Sequence, residues 1–122
     1  MKRIALGLAA VVLSAAAAQA DPLAMTYGNT VTQTTQDGKT SITYVNADKT
    51  WERHSADGAV YKGTFTIQDD THACFTVVDP APKDAKGATN CVEIKPGHKV
   101  SDTWTEPMGN GQNLTISITA GR

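Results

Sequence analysis

In the run Val60-Tyr61-Lys62-Gly63-Thr64-Phe65-Thr66-Ile67-Gln68-Asp69-Asp70-Thr71-His72-Ala73-Cys74-Phe75-Thr76-Val77-Val78, apolar side chains recur at every second position. That is the period of a strand with one buried face, not of a helix. Tyr61, Phe65 and Ile67 share one parity. Phe75 and Val77 point one way along the second half, with Cys74 and Thr76 opposite. Aromatic and β-branched residues fill both halves, and Gln68-Asp69-Asp70 between them is turn chemistry. The run therefore predicts two antiparallel strands, 59–67 and 72–78, joined tightly. Gly63 sits on the apolar parity, where a missing side chain permits a sheet to curve.

The same rhythm continues in both directions. Turn signals recur at Gln36-Asp37-Gly38, Asn46-Ala47-Asp48, Ala56-Asp57-Gly58 and Gly109-Asn110-Gly111. Asp-Gly favours the tight turns that join antiparallel strands. The remaining strands are expected at about 27–35, 40–46, 49–55, 90–95, 99–105 and 113–119. Leu114, Ile116 and Ile118 define one inward face, and Ile42 with Tyr44 is expected to define another, leaving Ser41 and Thr43 outside. Short turns make sequential antiparallel pairing the economical topology. The fold class is thus all-β: a small up-and-down meander of about eight strands, either a barrel or a strongly curled sheet. The longest segment outside strands, 79–89, is a functional lip or a tolerated insertion.

Lys2 and Arg3 precede an apolar, Ala-rich run that closes on Ala18-Gln19-Ala20. That is the pattern of a bacterial secretory signal peptide cleaved after Ala20. Residues 1–20 are read as the signal and 21–122 as one domain, directed to the periplasm or secreted. Removing Lys2 and Arg3 takes the net charge from −1 to −3. A mildly acidic chain with scattered charge lacks the basic footprint of a nucleic-acid or anionic-membrane partner.

Cys74 and Cys91 are the only cysteines. An oxidising compartment favours their pairing, and their spacing fits neither a Cys-x-x-Cys redox pair nor a zinc site. Both fall on the polar parity of their strands, opposite Phe75 and Val77 in one and Val92 and Ile94 in the other. An outer-face disulfide between neighbouring strands is expected.

Catalytic chemistry finds little support. His54, His72 and His98 have no ligand-type spacing and read as surface residues, so no metal or other cofactor is expected. Asp69, Asp70 and His72 read as a turn. Glu52, Glu93 and Glu106 sit in polar, outward settings, and a nucleophile elbow and phosphate-binding glycine loop are both missing. Adjacent His54 and Ser55 would face opposite ways on a strand. The aromatics are the positive hint. Trp51, Tyr61, Phe65 and Trp104 either line a ligand pocket or fill the core of a barrel small enough to be packed by its own side chains.

The segment Tyr61-Lys62-Gly63-Thr64-Phe65, then Cys74-Phe75-Thr76-Val77 and Asn90-Cys91-Val92-Glu93-Ile94, resembles small exported proteobacterial proteins with a Gly-Thr-aromatic motif and a cysteine in each of two strands. The resemblance covers about the middle third of the chain. It implies a disulfide-bonded, lipocalin-like β domain and supplies no catalytic residue. The lipocalin Gly-x-Trp signature is replaced by Tyr27-Gly28-Asn29. The expected function is non-enzymatic binding of a small apolar or aromatic ligand, or of a cell-envelope partner. One rival is an inhibitor of an exported protease, acting through residues 21–27 or the 79–89 loop. The other is a small-barrel enzyme.

Overall fold

The structure, a computed structural model, describes residues 21–84 and 88–122. The expected signal segment lies outside the described residues, as do residues 85–87 of the 79–89 loop. Eight strands follow a short 3-10 turn at Ala24–Thr26: β1 Thr30–Thr35, β2 Thr40–Val45, β3 Thr50–His54, β4 Val60–Asp69, β5 His72–Asp79, β6 Thr89–Glu93, β7 Thr103–Pro107 and β8 Asn113–Thr119. Two begin later than the alternation suggested. Gly28, at φ +76°, separates the 3-10 turn from β1. Before β7, the Asp102 carboxylate accepts from Lys99 N–H at 3.0 Å and Ser101 takes φ +82°, so residues 99–102 form a turn.

The strands pair antiparallel, in the order β6-β5-β4-β3-β2-β1-β8-β7, and one isolated parallel bridge joins Tyr27 to Val45. A closed up-and-down barrel would pair every strand with its chain neighbour and the last with the first. Here β8 does return to β1, and only the β6–β7 ladder is missing. The sheet is strongly curled, a half-barrel with a seam. No helix among the described residues is long and apolar enough to cross a membrane.

Register assigns the concave face. Val31 stands between Thr43 and Ile118, and Val45 opposes Trp51. Trp51 opposes Gly63, Gly63 opposes Val77, and Phe65 opposes Phe75. Contrary to the sequence expectation, Ser41, Thr43 and Val45 are the inward side of β2, and Ile42 and Tyr44 lie outside. Apolar residues occupy both parities of this strand, and the pairing of Val45 with Trp51 selects between them. Outside, the Tyr44 ring is covered by the Arg122 guanidinium, 5.2 Å from its centroid, and meets His54 edge-on.

Gly63 lies where the β4–β5 register shifts, leaving Val78 as an extra, exposed residue. A Cβ there would stand 1.8 Å from Thr76 O and 2.8 Å from the Trp51 ring. The indole lies across this gap and donates Nε1–H to Thr64 O at 2.9 Å. Lack of a side chain thus lets two backbones and an indole share one place.

The buried residues form two groups. Leu23, Val45, Trp51, Phe65 and Ala73 make the larger, and Val31, Ile116 and Ile118 the smaller. On the convex side Cys74 and Cys91 oppose each other directly, and their disulfide is formed. Cys74 is buried and Cys91 exposed.

Candidate functional site

A cleft of about 430 Å³ runs along the concave face between the two apolar groups. The C-terminal ends of β1, β3, β5 and β7, with residues 36–39, 55–59 and 108–112, lie at one end of the half-barrel, as the registers require. The opposite end is closed by residues 21–27. There Leu23 and Thr26 are buried, and Thr26 Oγ1 donates to Leu23 O at 2.6 Å. Asp21 holds this segment twice: Oδ1 accepts from Leu23 N–H at 2.9 Å and Oδ2 from the Tyr27 hydroxyl at 2.6 Å. Burial, and then the Asp21 carboxylate, push the Tyr27 hydroxyl well above its ordinary value. Residues 21–27, one of the two segments a protease-inhibitor alternative would use, are thus folded into the closed end.

Trp51 and Trp104 line the cleft from opposite sides, with Phe75, Val77, Val31 and Ile118 between them. Tyr61 lines an adjoining hollow with Trp51, Arg53, Ser55 and Val77. Phe65 does not reach the cleft. It is 2 % exposed and packs behind the wall, its ring 5.5 Å from that of Phe75. Among the four aromatics singled out in the sequence, Trp51, Tyr61 and Trp104 thus line cavities, Trp51 while also belonging to the larger buried group, and Phe65 is core alone.

The lining also carries polar residues, Gln33, Arg53 and Glu106 among them. Gln33 accepts from Thr43 Oγ1 at 3.4 Å. Arg53 Nη2 donates to Ser41 Oγ at 3.4 Å. Glu106, expected to point outward, shares the parity of Trp104 and faces the cleft. The available signal was parity: Arg53 follows Trp51, and Glu106 follows Trp104, by two residues on one strand.

His98 also departs from its surface assignment. Its ring stacks on Trp104 at 3.5 Å between centroids and 7° between planes, and Nδ1 lies 3.7 Å from Asp102. The Trp104 indole N–H is enclosed and has no acceptor among the described residues. An enclosed donor without a partner costs about 1–3 kcal/mol.

The other two histidines are on the convex face, His54 at the end of β3 and His72 at the first position of β5. His54 pairs with Glu52 at 2.5 Å. His72 Nδ1 lies 2.8 Å from Asp69, whose carboxylate also accepts from Thr71 N–H. The Thr71 N–H and the His72 ring hold Asp69 below its ordinary carboxylate value. Among the described residues no three His, Cys, Asp or Glu side chains gather into a group that would hold a metal.

Comparison with family models, with curated proteins and with solved structures returned no match.

Proposed function

We propose that this is an exported, non-enzymatic β protein that binds a small apolar or aromatic molecule inside its curled sheet. The observation that carries the reading is the cleft between Trp51 and Trp104. A half-barrel of this size has enough side chains to fill itself, yet its two apolar groups stand apart. Concave, mainly apolar cavities with a few polar groups are the usual form of small-molecule sites, and this volume falls within their range. The signal pattern and the outer disulfide support a periplasmic or secreted location, and the resemblance to small exported lipocalin-like domains points the same way. A binding role rather than catalysis is supported by the separation of the histidines, each beside a single carboxylate.

Native mass spectrometry of the protein purified from its own cells tests the reading. The expected result is a retained small-molecule mass that is lost on denaturation. A bare chain that also leaves the emission of the apolar dye Nile red unchanged overturns it.

A further inference from the structure

Resting on that reading, we propose that the ligand is an anionic amphiphile, its apolar body in the cleft and its carboxylate-type head on Arg53. Arg53 borders both the main cleft and the adjoining hollow of Trp51, Tyr61 and Val77. None of the ion pairs among the described residues includes it. Its one hydrogen bond, to Ser41 Oγ, is long at 3.4 Å. The contrast with Arg122 is informative. That guanidinium donates to Asn46 Oδ1, Val45 O and Asn29 O and covers the Tyr44 ring. One arginine is committed to the fold, and the other presents most of its donors to the cavity rim.

A guanidinium offers a planar fork that matches a carboxylate in two parallel hydrogen bonds. Ser41 and Thr43 place hydroxyls on the strand beside it. Further in, toward the closed end, the lining includes Trp51, Val31, Ile118 and Leu23. Glu93 and Lys95 also border the cleft but pair with each other at 3.9 Å, so Arg53 is the lining cation left outside any ion pair among the described residues. An unpaired guanidinium beside the apolar wall of Trp51, Val31 and Ile118 matches a molecule with one anionic head and an apolar body. Glu106 faces the cleft from β7, near the opposite edge of the sheet. It repels an anionic head from that side and so directs it toward β3.

Titration of the purified protein with dodecanoate, dodecanol and dodecyltrimethylammonium, each below its micelle concentration, tests this. Trp51 and Trp104 are the only tryptophans and both line the cleft, so their emission reads occupancy. Dodecanoate is expected to bind about tenfold more tightly than dodecanol, the scale of one charge-assisted contact at a rim. Arg53→Gln should remove that advantage, bringing the affinities for acid and alcohol together, while Arg53→Lys keeps part of it. Thermal unfolding of each variant checks that the fold persists. Equal binding of acid and alcohol, or a preference that survives Arg53→Gln, overturns the assignment of the head group. A preference for the ammonium probe that Glu106→Gln abolishes reverses its sign. If none of the three probes changes the emission, the ligand-binding reading itself falls.

Discussion

At Gly63 the curl of the sheet depends on one hydrogen atom. The position is not strained in φ; what it lacks is room, because a Cβ would meet Thr76 O and the Trp51 ring. A backbone oxygen cannot step aside as a flexible side chain can, so Gly63→Ala has to part β4 from β5 or displace Trp51. Overpacking of this kind costs about 3 kcal/mol. Urea unfolding should show that loss, and Trp emission should shift as the indole leaves Thr64 O. A variant as stable as the parent would mean that the close approach is not maintained in solution. Cavity-facing residues follow the same logic of parity. Arg53 and Glu106 were legible as inward once Trp51 and Trp104 were placed. Their charge argued for the opposite face, and charge is a poorer guide than alternation where a sheet encloses a hollow.

Among the elements, β5 and β6 are tied by Cys74 and Cys91, with 17 residues of separation. Cross-linking a loop of that length removes unfolded-state entropy equivalent to about 3 kcal/mol. Cys74→Ser should therefore lower the melting temperature by on the order of 10–20 °C under oxidising conditions. It should also expose one titratable thiol, Cys91, where the parent has none. Two thiols in the untreated parent would contradict the bridge. This pairing was legible because two independent patterns agreed: strand alternation put both cysteines outside, and the register set them opposite each other. The eight strands were legible for the same reason, since turn residues and alternation marked the same boundaries. The inward face of β2 was not. With Ile42, Tyr44 and Val45 all apolar, only the partner across the ladder selects a side. The seam was equally hidden, because nothing local distinguishes the β6–β7 connection from a hairpin until Asp102 folds it into a turn.

Across the whole molecule, residues 21–27 hold one end of the half-barrel shut through Asp21 and Tyr27. Burial, chiefly, and the Asp21 carboxylate raise the Tyr27 pKa above its ordinary value of 10. The folded protein then keeps a proton that the unfolded chain gives up. This stabilising contribution is complete below pH 10 and is lost as the pH rises beyond it. Denaturation followed on the alkaline side should show falling stability, with tyrosinate absorbance rising as the chain unfolds. Tyr27→Phe should weaken that dependence, and an unchanged alkaline slope would remove Tyr27 as its source.

The sheet order has a kinetic side as well. Read from β7 through β8 and β1 to β6, it is the order of the chain with its starting point moved. Most hairpins close over a few residues, whereas seating β1 against β8 spans 91 residues between Thr30 and Gly121. Closing so long a loop carries about 2–3 kcal/mol more entropy loss than closing a tight turn. On this entropy alone the return of β8 to β1 is expected to come late in assembly, and stopped-flow refolding followed by Trp104 emission checks it. Until then the edge of β1 stays bare, and its threonines, rather than a run of large apolar side chains, are what a neighbouring chain would meet.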